Sequence, residues 1–178
     1  MLLTIQQKFL IEAIKKLGCA RKDQLTALLR PVFCAHRPDM AERVTEAALR
    51  QLRIGNLPLV QEDNLCRLPK ARADPSHLEA IDVMLELSDA VPLEYRAGEK
   101  PVLLRFSVGG EKIRRLAVLE DTDLLDESAV FHGERLIRLY DSRASPEPWP
   151  VSNRQFIAVR QENGTHRFSA VSEGGNHA

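Results

Sequence analysis

Residues 47–68, AALRQLRIGNLPLVQEDNLCRL, constrain the fold more than any other stretch of the chain. An amphipathic helical pattern stops at Gly55-Asn56, a pair that favours helix termination. Two short apolar runs follow at once, Leu59-Val60 and Leu65-Cys66-Arg67-Leu68, around the polar turn Glu62-Asp63-Asn64. Runs this short around such a turn predict a small hairpin. A two-stranded hairpin is not stable alone, so helices upstream must supply the surface it packs on.

Two helical segments precede it. The first is predicted to start at Thr4, where Thr4 and Gln7 have capping-box spacing. Ile5, Phe9, Leu10, Ala13, Ile14 and Leu17 form its apolar stripe, and Gly18 is its natural stop. A second helix is predicted over 21–29, with Leu25, Leu28 and Leu29 inward and Pro31 preventing continuation. After a turn over 32–37, Pro38-Asp39 opens a third helix, and Asp39 with Glu42 repeats the capping-box spacing. Met40, Val44, Ala47, Ala48 and Leu52 are expected inward. Arg43, Glu46, Arg50 and Arg53 fall together on the outward face. Three helices and a hairpin are the layout of a winged helix-turn-helix, a shape that most often touches DNA.

Charge is divided unevenly along the chain. Residues 1–72 carry 13 Lys/Arg against 7 Asp/Glu, a net of +6, and residues 73–178 carry −6. A basic half suits a polyanion. In a helix-turn-helix the third helix enters the major groove and its first half meets base edges. The candidates there are Arg37, Asp39, Glu42, Arg43 and Glu46: arginine pairs with guanine, and carboxylates accept from cytosine. Arg50 and Arg53 are expected on phosphates. Arg21 and Lys22 at the start of the second helix, and Arg67 and Lys70 beside the wing, are candidates for gripping the backbone. Against this, Glu42 and Glu46 repel phosphates, and the same face also reads as a solvated surface of helical charge pairs worth a few tenths of a kcal/mol each.

The series LTIQQKFLIEAIKKLG, DQLTALL and RVTEAALRQLRIGNLPLV resembles winged-helix proteins of the replication-relaxation type, carried on bacterial plasmids and conjugative elements. The shared features are the apolar first helix, a QL..LL second helix, and a third helix ending in L..L...G.L before a wing. The resemblance covers roughly the first 70 residues. It implies DNA binding and regulation of transcription or replication of a mobile genetic element. It also implies, for some members, a degenerate nuclease-like α/β domain downstream.

Beyond a polar joint at residues 71–74, Asp74-Pro75 is a good helix start. Leu78, Ile81, Met84, Leu85 and Ser88 make one stripe, and Val83 with Leu87 extends the apolar surface to another side. Such a helix is expected to form the seam between the halves, with a dimer contact as the alternative. Strands are predicted next. Residues 102–108 alternate with Leu104, Phe106 and Val108 on one face. A Gly109-Gly110 turn leads to a strand over 112–119, and residues 136–140 read as a further strand, with a short helix as the alternative. A hairpin over 156–171 turns at Asn163-Gly164. Residues 142–150 are expected to be a loop whose Trp149 covers the sheet edge. The expected class is therefore α+β. An N-terminal winged helix-turn-helix (1–72) precedes a linking helix and a small, mostly antiparallel or mixed β-sheet domain of about five strands (73–178).

The catalytic classes find little support. No GxSxG, P-loop or GxGxxG occurs. The carboxylate run over 120–127 stands at a strand end, where nucleases hold magnesium, but no Glu-x-Lys element follows Glu120. His132 and His166 read as isolated. Cys19, Cys34 and Cys66 are odd in number and lack CxxC spacing, which favours reduced thiols in a cytoplasm. The opening MLLTIQQKFLIEAIKK has charges among its apolar residues, unlike a signal peptide or a membrane span. The expectation is a cytoplasmic DNA-binding protein, not an enzyme, with no cofactor or metal. Its expected partners are double-stranded DNA, a second copy in a homodimer, and a protein for the acidic half. A protein-interaction adaptor is the alternative.

Overall fold

The computed structural model describes residues 2–55, 59–141 and 146–171. It is an α+β protein with four helices and two sheets among those residues.

Helix α1, Ile5–Leu17, begins on the predicted capping box: the Gln7 N–H donates to Thr4 Oγ1 at 3.2 Å, and the Thr4 N–H donates to Gln7 Oε1 at 2.8 Å. Gly18, with φ 77°, ends it. The buried stripe is Leu10, Ala13, Ile14 and Leu17, joined by Gln7, whose Nε2 donates to Gln51 Oε1 at 2.7 Å. Ile5, expected in the stripe, is 70% exposed, because the buried face is rotated toward Gln7.

A short strand that the sequence did not reveal comes next: β1, Cys19–Arg21. Helix α2, Lys22–Phe33, then runs through Pro31 to Phe33, so the expected stop at Leu29 is corrected. Pro31 lies in the last turn, where it removes one helical hydrogen bond. The edge-to-face contact of Phe33 with Phe9, centroids 5.4 Å apart, rewards the extra turn.

A single 3-10 turn, Pro38–Met40, leads to helix α3, Ala41–Ile54. The Asp39–Glu42 capping box does not form, because the Arg37 guanidinium takes the Asp39 carboxylate at 3.1 Å. The inward face is Ala41, Thr45, Ala48, Leu49 and Leu52. Ala47, expected inward, is exposed, and Met40 and Val44 are half-buried. The face in use is turned by about one residue from the expected one, toward Thr45 and Leu49.

Strands β2, Val60–Glu62, and β3, Leu65–Arg67, form the predicted hairpin, with Asp63 at φ 44° in its turn. All pairings in this sheet are antiparallel and its order is β1-β3-β2. The turn is fastened to α2: the Lys22 N–H donates to the Asn64 carbonyl at 2.8 Å, and Asn64 Nδ2 donates to Asp23 at 3.1 Å.

Helix α4, Pro75–Leu87, starts on its predicted cap, with the Ser76 N–H donating to Asp74 at 3.0 Å. Ala80, Ile81, Val83 and Met84 are fully buried, and one continuous apolar core joins Leu10, Leu29 and Leu52 to Leu104, Val118 and Ala158. The helix lies between α2 and the second sheet, as the seam reading expects. The core does not divide at Arg72.

The second sheet has six strands, not about five. They are β4 Glu94–Ala97, β5 Val102–Val108, β6 Arg114–Leu119, β7 Arg135–Leu139, β8 Gln155–Arg160 and β9 His166–Ala170, hydrogen-bonded in that order. The β6–β7 and β7–β8 pairs are parallel and the rest antiparallel. Parallel neighbours need crossovers, and these cover the sheet face opposite α4. Leu125, Trp149 and Val151 pack there on Val102, Ala117, Leu119 and Leu136. Strand β5 is consequently buried on both faces, where alternation predicted one. Trp149 covers the sheet face, not its edge. Its Nε1 donates to the Thr122 carbonyl at 2.8 Å, and the Arg138 guanidinium stacks 4.0 Å from the ring centroid. The first residues of the loop expected over 142–150, Ser142 to Ser145, lie outside the described residues.

Candidate nucleic-acid interface

Helix α3 packs on α2, on α1 and on the 3-10 turn, leaving its opposite side bare. Glu42, Arg43, Glu46, Arg50 and Arg53 are all exposed there, so no described part of the acidic half covers them. From Arg43 to Arg53 the helix rises about 15 Å, at ~1.5 Å per residue. The three arginines carry no ion pair among the described residues, and with the two glutamates the face sums to a small positive charge.

The remaining candidates divide. Arg37, 70% exposed in its side chain, is paired with Asp39 in front of α3. Lys70 is exposed after β3, whereas Arg67 is folded back, its Nη2 on Glu62 at 3.1 Å and its Nη1 on the Ala71 carbonyl at 3.2 Å. Lys22 is half-buried at the start of α2. Arg21 points elsewhere: Nη2 donates to Asp82 of α4 at 2.6 Å and to Asp23 at 3.1 Å. The structure thus brings Arg43, Glu46, Arg50 and Arg53 together and takes Arg21 into the seam.

That seam is polar and well matched. Asp82 also accepts from Gln24 Nε2 at 2.8 Å, and the same amide donates to the Leu78 carbonyl. Burial works against the Arg21 charge, yet the two aspartates hold its pKa above the usual value. Burial likewise opposes the Asp23 charge, but Arg21 and Asn64 keep that carboxyl below its usual range. Asp23 therefore adds stability that is present above the unfolded aspartate pKa of ~3.9 and lost as pH falls below it. Replacing Asp82→Ala leaves one N–H of the buried Gln24 amide without its acceptor, the other still on the Leu78 carbonyl, and removes one Arg21 partner. A loss of about 1.5–3 kcal/mol is expected in urea unfolding of the full chain.

The other sequence candidates for chemistry are engaged structurally. Glu120 and Asp74 hold Lys100, Asp121 lies 3.6 Å from Arg138, and Asp126 caps Ser128. Among the described residues no three His, Cys, Asp or Glu side chains converge as metal ligands. His166 is not isolated. Its side chain is buried between two carboxylates of α4, with Nδ1 2.9 Å from Glu86 and Nε2 3.1 Å from Glu79. Those partners lie 80 and 87 residues away, so no local pattern announces them. The buried Arg105–Glu134 pair, at 3.1 Å, was likewise invisible. The three cysteines are free and buried, and burial pushes the Cys66 thiol up to about 11. No described helix is long and apolar enough to cross a membrane.

No protein-family model, curated protein or solved structure matches the chain.

Proposed function

We propose that the chain is a double-stranded-DNA-binding protein whose residues 1–72 form a winged helix-turn-helix. The observation that carries this reading is the bare face of α3, with Arg43, Arg50 and Arg53 on it unpaired among the described residues, beside the β2–β3 hairpin. The order α1-β1-α2-α3-β2-β3, with β1 closing the hairpin into a three-stranded sheet, supports the winged-helix part.

In this reading α3 lies in the major groove, which is wide enough to admit one helix. Arg37, Arg43 and Glu46 meet base edges at its leading end. Arg50, Arg53 and Lys70 meet phosphates, and Lys22 and Arg67 flank them. Arg21, committed to Asp82, has no role on DNA. The protein regulates transcription or replication of a mobile genetic element, as the resemblance of its first 70 residues implies. It does so as a homodimer on paired half-sites, with the acidic half free for a protein partner.

The test is fluorescence anisotropy of the full chain with a random duplex pool across a salt series. Three to four phosphate contacts predict a slope of log affinity on log salt of roughly −2.7 to −3.6, at about −0.9 per contact. A flat salt response, or no binding at low salt, refutes the proposal.

The adaptor reading rests on Glu42 and Glu46, which share the α3 face with the arginines and would repel phosphates. It predicts a protein partner on this face and no duplex binding.

A further inference from the structure

Beyond the end of α4 the sheet keeps a cavity that no other described element fills. Opposed residues in paired strands share a face, and alternate residues along a strand return to it. The register Leu116 with Arg135, Val118 with Ile137 and Ile137 with Phe156 therefore places Arg114, Leu116, Arg135, Ile137 and Phe156 on one face. It is the face that α4 covers further along, through Val118 and Leu104. Leu87, the last residue of α4, closes one side. The space, open to solvent on one side, is about 160 Å³.

Its wall is apolar except at one end, where Arg114 and Arg135 stand. Arg114 is exposed and Arg135 half-exposed, so this end meets solvent. Neither guanidinium has a hydrogen-bond or ion-pair partner among the described residues. Two other arginines of the same sheet are satisfied: Arg105 holds Glu134, and Arg138 donates to the Thr122 carbonyl at 2.9 Å beside Asp121. Arg114 and Arg135 sit on adjacent parallel strands, Arg114 two residues from the partner of Arg135, about 8 Å apart at the backbone. That spacing lets two guanidinium forks converge on one carboxylate.

The volume sets the rest of the ligand. An apolar cavity of about 150 Å³ accepts a benzene ring. We propose that this cavity binds a small free carboxylic acid bearing one ring-sized or branched apolar group. The apolar group packs on Leu116, Ile137 and Phe156, and the carboxylate lies between Arg114 and Arg135. A peptide ending in an aromatic residue offers the same carboxylate. Its preceding amides, however, would meet an apolar wall with no partner for them, which is costly. The site does not depend on the DNA reading, because it lies on the six-stranded sheet and uses none of the α3 residues.

The experiment titrates the full chain with phenylacetate and with isovalerate, following side-chain methyl resonances. Saturable shifts are expected at Leu87, Leu116 and Ile137. Phenylacetamide, equal in shape but uncharged, is expected to bind at least about tenfold more weakly. The Arg114→Gln, Arg135→Gln double variant is expected to lose phenylacetate affinity by a similar factor with an unchanged thermal midpoint. The proposal is overturned if neither acid saturates these resonances at tens of millimolar. It is overturned equally if the amide, inorganic phosphate or a Gly-Gly-Phe peptide matches phenylacetate, or if a second copy of the chain occupies the face.

Discussion

Reversing two charges on α3, Arg43→Glu with Arg50→Glu, is expected to weaken duplex binding at least about a hundredfold near 0.1 M salt. The wild-type face sets three arginines against two glutamates; the variant sets one against four. Each lost arginine removes a counterion-releasing contact, and each new carboxylate adds repulsion at short range. Both positions are exposed and make no ion pair among the described residues, so stability should move by no more than about 0.5 kcal/mol. Anisotropy with a labelled duplex measures the loss, and circular dichroism on heating checks the fold. The opposite change, Glu42→Gln with Glu46→Gln, should strengthen binding and flatten nothing else. If the arginine reversal leaves duplex binding intact, α3 is not the reading surface. If it removes a protein partner instead, the adaptor reading stands.

The second large effect is on stability. Trp149→Ala is expected to cost about 3–5 kcal/mol, the range for removing a buried large aromatic side chain. Trp149 is 3% exposed and is the lid of the smaller apolar cluster, over Ala117, Leu119 and Leu136. Three losses coincide: the packing, the Nε1 hydrogen bond to Thr122, and the stack with Arg138. Burial lowers the Arg138 pKa, against the pull of Asp121, so this guanidinium is already poorly solvated and depends on its neighbours. Trp149→Phe keeps the ring but strips the donor, for about 0.5–1.5 kcal/mol. Trp149 is the only tryptophan in the chain, so urea unfolding of the variants is followed by circular dichroism. A Trp149→Ala variant within about 1 kcal/mol of wild type would mean that the crossovers do not hold the sheet face.

The fold was legible where short-range chemistry decides it. Thr4 with Gln7, and Asp74 with Pro75, marked two helix starts because capping partners lie within three residues. Asn163-Gly164 marked the last hairpin for the same reason, with Gly164 at φ 84°. What stayed hidden depends on distant pairing. Strand β1 is three residues long, too short for a period of two, and exists because β3 pairs with it. Strand β4 is a short edge strand with mostly exposed residues. The parallel β6–β7–β8 core could not be separated from a meander, since among the described residues its crossovers contain only a 3-10 turn, Glu127–Ala129. At the interface, the arginine spacing on α3 was readable from one helix. The fate of Arg21 was not, because Asp82 lies 61 residues away.

The measurement that bears most directly on the α3 face is residue-resolved chemical-shift mapping of the full 20.0 kDa chain on adding a duplex. The predicted result is a set of salt-sensitive shifts on α3 from Arg43 to Arg53 and on the β2–β3 turn, with α4 and the six-stranded sheet quiet. Shifts confined to the sheet, or none at any site at low salt, would contradict DNA binding through α3.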